Sequence, residues 1–423
     1  MDALEEKILD LSGGKKVALW GRGVSTLSAE KLLSKFNIAS VYYGDAPNEK
    51  KFDKTSAKEH ALAIYLPAFK SDHPFFEAAK ETGVRTIGEP DLGGFLWRGR
   101  IIAVTGTNGK TTLTSLLAHA LKKCGIDAVA CGNIGKPICD FALSSFGKTA
   151  VCEISSFQAM RLGLLKPDAL VWTNFAPDHL DWHLDLREYF EAKLRLASLL
   201  KSKVFVYGSG IEQTAKKYAL TLPDFAKFAD KNLFPNSPHP FDNSIQRENF
   251  ALASVLWEEL KLDKKILLQA CSDFKIAHHR FANVCSIGSV NFWNDSKATN
   301  AHAAIAALRE LSGEKLFWIG GGKNKFCDNS ELVKAISECA QGAALIGQTA
   351  AILKSELPNL PLGVKVCETL EEAVEFAFES CGNSGDILFS PAFSSFGMFN
   401  GYADRGKSFE KAVLCLKNKK NGQ

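Results

Sequence analysis

The chain has no long apolar run, no low-complexity linker, no internal repeat and no CxxC pair, and each absence removes a class of protein. No apolar stretch approaches the roughly twenty residues that span a bilayer, so no membrane insertion is expected. The opening MDALEEKILD is acidic and amphipathic, the reverse of a basic leader followed by an apolar segment, so no secretory signal is expected either. The 11 cysteines are odd in number and lack metal-ligand spacing, which fits reduced thiols in a cytoplasm, most of them small core residues. A large charge excess is also missing: +4 over 423 residues makes no case for a nucleic-acid partner, and KNKK at 417–420 reads as a solvated tail.

What is present is the composition of a globular protein, with 46% hydrophobic and 23% charged residues. The length predicts about two to four domains. At 104–112 stands VTGTNGKTT. The common phosphate loop has four residues between its glycines, whereas Gly106 and Gly109 enclose only Thr107 and Asn108 before Lys110, Thr111 and Thr112. The chemistry survives the shortening: successive N–H groups can wrap a phosphate, Lys110 can neutralise its outer oxygens, and a Thr hydroxyl can reach a Mg²⁺ ion. Before the loop runs the apolar stretch IIAV, and after it Leu113, Leu116, Leu117, Ala120 and Leu121 recur at helical spacing. Strand, glycine loop and helix together place an anion at a helix N-terminus. A plain glycine turn needs no Gly-Lys-Thr-Thr.

Three sections separate by pattern. The first has a strand at Val17 to Trp20, a glycine turn at Gly21 and Gly23, a helix, and a second strand ending at Asp45, about twenty residues on, where a dinucleotide fold puts its ribose-binding acid. Thr26 stands where a third glycine would complete the fingerprint, so NAD, another nucleotide or nucleotide-sugar, and a structural turn all stay open. The second section, from about Leu96, holds the phosphate loop and strands at 149–155 and 168–174 with polar endings. The third, from about His278, has strands in SVNFWND, KLFWIGG and GDILFSP. Alternating strand and helix predicts an α/β class throughout, with ligands beyond the carboxyl ends of open parallel sheets.

Several polar residues stand at those endings. Glu153 closes an apolar strand and suits a metal on a nucleoside triphosphate; a solvated strand end is the plain alternative. Asp178 and His179 follow the next strand and suit a hard divalent ion. Lys193 borders the apolar stripe of its helix, where it either snorkels or serves as a reactive amine. In the third section Arg280, Asp295, Ser296, Lys297, Thr299, Asn300, Lys325, Ser394, Ser395, Tyr402 and Arg405 collect cations and hydroxyls suited to a small acidic ligand.

VTGTNGKTT, GNIG, CEISSFQ, TNFAPDHLDWH, EAKLR, HHRF, DSKATN and SPAFSSFGMFNGYADRG, in this order along nearly the whole chain, resemble the Mur ligase family, and DSKATN with the last block is similar to its D-glutamate-adding branch. The resemblance implies a cytoplasmic monomer of three α/β domains: a Rossmann-like UDP-sugar domain at 1–96, a central ATP-binding parallel-sheet domain of phosphate-loop type at 97–277, and a Rossmann-like domain for D-glutamate and nucleotide at 278–423. It implies ATP-dependent addition of D-glutamate to UDP-N-acetylmuramoyl-L-alanine through an acyl phosphate, in peptidoglycan precursor synthesis. By the same resemblance Lys110 stabilises the transferring phosphoryl group. Thr111 and Glu153 bind one Mg²⁺, and His179 and Lys193, the latter as a CO₂-derived carbamate, serve a second. Gly106, Thr107, Asn108, Gly109, Thr112, Asn249, Arg280 and Asp295 fall to ATP. Gly23, Ser25, Thr26, Asp45, Asn133, Ser155 and Gln158 fall to the UDP-sugar, and Thr299, Lys325, Ser395 and Tyr402 to D-glutamate.

The departures gather in the first section. Leu66, Pro67 and Ala68 stand where many members have Ser-Pro-Gly, and Asp45, Ala46, Pro47 where some have Asp-Thr-Arg, an Arg able to stack on uracil. Outside that section, Gln246 to Asn249 degrade an HNxxN block, and Tyr402 stands where some members have a Phe. Rival readings are a folylpolyglutamate-type ligase, which lacks the first glycine-turn domain, a phosphate-loop ATPase and a nicotinamide oxidoreductase; neither of the last two accounts for DSKATN.

Overall fold

The computed structural model describes residues 3–313, 315–324 and 328–421, and its strands form three sheets. The first comprises β1 (Val17–Trp20), β2 (Ser40–Tyr43), β3 (Leu62–Tyr65) and β4 (Arg85–Gly88), all parallel, in the order β2-β1-β3-β4. The second comprises β5 (Arg100–Thr105), β6 (Ala128–Gly132), β7 (Thr149–Glu153), β8 (Ala169–Trp172), β9 (Phe205–Tyr207) and β10 (Ala226–Phe228), again parallel, in the order β10-β9-β8-β5-β7-β6. Short runs buried on both faces, such as VALW, LAIY and ALVW, suit parallel sheets covered by helices on each side.

The third sheet comprises β11 (Ala282–Ile287), β12 (Ser289–Asn294), β13 (Leu316–Gly321), β14 (Gly342–Ile346), β15 (Val364–Val366) and β16 (Ser384–Phe389), in the order β11-β12-β16-β13-β14-β15. Its pairings are parallel except β11 with β12, a hairpin turned at Gly288 with φ +58°. The sequence reading had no strand at 282–287. This edge strand is mostly half-buried, with polar Asn283 and Ser286 exposed among its apolar residues, and its register shifts between Asn283 and Cys285, so it carries no continuous apolar run to read.

The chain packs as two compact units: one of Met1–Phe175, Arg187–His239 and Glu248–Phe274, the other of Ala176–Leu186, Pro240–Arg247 and Lys275–Gln423. In the first unit, alternation along β1 and β3 feeds two cores. Val17, Leu19 and Ile64 pack with Leu32, Leu33, Leu92 and Leu96, and with Cys139 and Ala142 from the chain of the second sheet. Ala18, Trp20 and Tyr65 face Phe52, Phe75 and Phe76, with the Trp20 ring 4.9 Å from Phe52 and 5.0 Å from Phe76. In the second unit the two faces of the third sheet bury Phe292, Ile319 and Phe389 on one side and Trp318, Leu345 and Leu388 on the other. Among the described residues no helix is long and apolar enough to cross a membrane.

Candidate active site

β5 lies between β7 and β8, so the loop after it is flanked by both strand ends. The carbonyl of Val104 accepts from Ile154 N, and that of Thr105 from Thr173 N, each at 2.8 Å. Gly106 takes φ +143°, and a Cβ there would stand 1.8 Å from Thr173 Oγ1; Gly109 takes φ +80°, and a Cβ would stand 2.6 Å from Asn249 Oδ1. Both glycines are therefore demanded by conformation and by close approach. The Thr107 amide donates to Asn174 O (3.0 Å), the Asn108 amide to Asn174 Oδ1 (2.9 Å), and Thr173 Oγ1 to Asn108 O (2.5 Å). The helix Lys110–Lys123 then starts with Gly109 as its N-cap. Thr111 sits half-buried in its first turn, and Asn249 is buried against the loop.

Lys110 Nζ donates to Gly106 O (2.9 Å) and Thr107 O (2.7 Å). Lys193 Nζ donates to the same Gly106 oxygen at 2.8 Å and stands 4.7 Å from the centroid of the Tyr189 ring. Lys193 is only 1% exposed, so the border position read from its helix is an interior one. Two amines thus converge on one carbonyl oxygen.

Glu153, at the end of β7, is 2% exposed. Its Oε1 accepts from Asn133 Nδ2 at 3.0 Å, and its Oε2 is buried with no hydrogen-bond partner. A carboxylate oxygen held out of water in this way fits a hard divalent cation. Among the described residues no group of three or more His, Cys, Asp or Glu could hold a metal, so such an ion would draw its remaining ligands from substrate oxygens and water. Ser155 and Gln158 cap the short helix Ser156–Ala159 reciprocally, Gln158 N donating to Ser155 Oγ (3.3 Å) and Ser155 N to Gln158 Oε1 (3.0 Å).

The second unit gathers the other candidates. Asp295, just after β12, is buried; its Oδ1 accepts from Phe281 N (3.1 Å) and its Oδ2 from Ser390 Oγ (2.9 Å). Burial pushes its carboxyl up to about 7, against the pull of these donors and of Arg280 and Arg405. Arg405, 1% exposed, donates to Ser296 Oγ (3.1 Å), Ser296 O (2.8 Å) and Phe393 O (2.9 Å), tying DSKATN to SPAFSSF. Burial draws its guanidinium down to about 9. Lys297 Nζ lies 4.1 Å from the centroid of the Tyr402 ring; Ser395 is buried and Thr299 half-buried. Asn300 donates to Asp178 Oδ2 at 2.8 Å, and His179 Nε2 is 3.7 Å from that oxygen. His179, His279, Phe281 and Ala392 all carry positive φ, a concentration of backbone strain typical of ligand sites. Lys325 lies outside the described residues.

The first glycine turn is built differently. Gly23 N donates to Thr26 Oγ1 (3.1 Å), and Thr26 Oγ1 donates to Gly21 O (2.8 Å), so Thr26 closes the turn from inside. Leu66 packs over it: a Cβ at Gly21 would stand 2.7 Å from Leu66 Cδ1. Asp45 pairs with His73 Nε2 at 2.9 Å, and Ser25 is half-buried.

Sequence reasoning missed Asn174, which holds two loop positions and whose Nδ2 donates to Glu248 Oε2 (3.2 Å), and Tyr189, whose hydroxyl lies 3.1 Å from Thr107 Oγ1. The polar ending of β8 was the available signal for Asn174; Tyr189 had none, being one more aromatic on an amphipathic helix.

The Mur ligase middle domain matches residues 104–261. The UDP-N-acetylmuramoylalanine--D-glutamate ligase of Aquifex aeolicus is 31% identical over 94% of this chain and 98% of its own length, and that of Pseudothermotoga lettingae 32% identical over 84% of each. The structure of the UDP-N-acetylmuramate-alanine ligase of Thermotoga maritima shares the fold, with a TM-score of 0.58 at 16% identity over 95% of this chain and 100% of that one. With the loop and the strand-end carboxylate on one sheet, a buried helical lysine on the loop's Gly106 carbonyl, and a relative alike along almost its full length, the chain belongs to the Mur ligase family.

Proposed function

We propose that the protein is an ATP-dependent ligase that joins D-glutamate to UDP-N-acetylmuramoyl-L-alanine through an acyl phosphate, in peptidoglycan precursor synthesis in the cytoplasm, acting as a monomer. The observation that carries the reading is the meeting of Lys110 and Lys193 at the Gly106 carbonyl, on the sheet edge where Glu153 keeps an unpartnered oxygen. An acid and an amine at neutral pH form a salt, so the carboxylate oxygen must first become a leaving group, and phosphoryl transfer to it is assisted chiefly by positioning and charge neutralisation.

In this reading the loop amides and Lys110 hold the transferred phosphoryl group. Thr111 and Glu153 would hold one Mg²⁺, whose charge would neutralise phosphate oxygens, and Lys193 stands at the same loop. A carbamate on Lys193 would turn its amine into an anion able to bind a metal. Asn249, Arg280 and Asp295 serve the nucleotide, Asn133, Ser155 and Gln158 the acceptor, and Thr299, Lys325, Ser395 and Tyr402 the D-glutamate. The corresponding domains are 1–96, 97–277 and 278–423. Relatives that carry the D-glutamate ligase name along nearly the whole chain support the amino acid.

The test is phosphate release from ATP with Mg²⁺, UDP-N-acetylmuramoyl-L-alanine and either D- or L-glutamate. Release that requires both acceptor and D-glutamate, with a product heavier by one glutamyl residue, is expected; release that ignores the acceptor, or follows a folate, overturns the substrate assignment. Lys193→Ala is expected to lose about 100-fold in rate, and a free amine at Lys193 by mass analysis at high CO₂ removes the carbamate.

A further inference from the structure

We infer that Arg22 supplies the charge that recognises the nucleoside diphosphate of the acceptor, in place of the two glycine amides of the first turn; the inference rests on the acceptor reading above. In the order β2-β1-β3-β4 the chain changes direction between β1 and β3, and ligands of open parallel sheets enter beyond the carboxyl ends at that point. A diphosphate there ordinarily takes the glycine amides and the helix N-terminus. The two glycine amides are engaged here. Gly21 N donates to Tyr43 O at 2.8 Å, and Gly23 N donates to Thr26 Oγ1 at 3.1 Å. Above them the crevice is filled by apolar atoms: positions for a Cβ on Gly21 and Gly23 lie 2.7 Å and 3.1 Å from Leu66 methyls, and Phe69 Cε2 stands 3.0 Å from the former. An apolar floor cannot replace the water around a diphosphate.

Other cations near this edge have protein acceptors. Lys51 Nζ donates to Gly44 O (3.0 Å) and Ala46 O (3.2 Å), and His73 is paired with Asp45. Arg161 stacks on Phe76 at 3.8 Å and donates to Ser71 O. Arg22, exposed on the turn itself, lies 4.9 Å from the centroid of the Tyr42 ring, and that ring is fixed by its hydroxyl donating to Glu30 Oε2 at 2.9 Å. Stacking uses the face of a guanidinium and leaves its planar fork of N–H donors for a phosphate. Arg22 on its Tyr42 platform is thus a clamp set in advance.

The experiment uses the full-length chain. Calorimetric titration with UDP and with uridine, alongside initial rates with UDP-N-acetylmuramoyl-L-alanine, is expected to show Arg22→Ala weakening UDP about tenfold while uridine binding is unchanged. The acceptor KM rises in proportion and the ATP KM stays as it was. Arg22→Lys recovers part of the loss, because an ammonium lacks the fork, and Arg22→Glu loses more than Arg22→Ala. Since the side chain is exposed, these variants are expected to keep the wild-type melting temperature. Equal UDP affinity and acceptor KM in wild type and Arg22→Ala, with the wild type turning the acceptor over, overturns this inference alone. A wild type that neither binds UDP nor uses the acceptor overturns the acceptor reading, and this inference with it.

Discussion

Two glycine turns, GRG at 21–23 and GTNG at 106–109, each follow a parallel strand and open a helix, yet the molecule uses them in opposite ways. The second faces strand ends that deliver polar groups: Thr173 and Asn174 brace the loop, Glu153 aims a carboxylate, and two amines meet at Gly106 O. The first faces Leu66 and Phe69, and its own Thr26 closes it from within. A glycine turn before a helix is therefore only half of an anion site; what the neighbouring strands bring decides the other half.

The largest difference is expected from the second turn. Lys110→Ala should cost about 10³-fold in acceptor-dependent phosphate release, the scale of removing a group that stabilises transition-state charge. Gly106→Ala should match it, since its Cβ would overlap Thr173 Oγ1. Retention of a tenth of the wild-type rate in either variant would break the contrast.

The seam joining the two sheets gives a pH-dependent effect. Glu89 begins the helix Glu89–Leu96, is 1% exposed, accepts from Cys139 N at 2.7 Å, and is pushed up to about 7 by burial. Its folded value lies above its unfolded one, so between about pH 4.5 and 7 the folded chain holds more protons and stability falls as pH rises. Glu89→Gln should flatten that slope in denaturant titrations and gain up to about 3 kcal/mol at pH 8; an unchanged slope would show that another group sets it.

Glu153→Gln is expected to raise the Mg²⁺ concentration for half-maximal rate by about 30-fold, since an amide binds a hard cation poorly. Insensitivity to Mg²⁺ would remove the metal from the phosphate loop. Gly21→Ala should be mildest, at about 1 kcal/mol of stability by thermal unfolding, because its φ of +76° is costly for alanine while the Leu66 side chain can shift. A loss of ATP-dependent rate as large as that of Gly106→Ala would mean the two turns are alike after all.

Periodicity made β1, β5, β7, β12 and β16 readable, because buried parallel strands are short apolar runs bounded by glycine or polar residues. β11 was not readable, because polar Asn283 and Ser286 interrupt the apolar residues of this half-buried edge strand. The strand, glycine turn and helix around GTNGKTT were legible, since their pattern is local. The bracing of that loop by Asn174, 66 residues away from Asn108, was not.

By itself the sequence determined the α/β class, the phosphate loop and, through DSKATN and its companion blocks, the family resemblance, because each depends on residues close together along the chain. Tertiary structure alone decided that Lys193 is buried on the Gly106 carbonyl, that Leu66 closes the first turn and that Arg22 rests on Tyr42. Those facts depend on which strands lie side by side, and strand order is fixed by packing across the whole sheet rather than by any one segment.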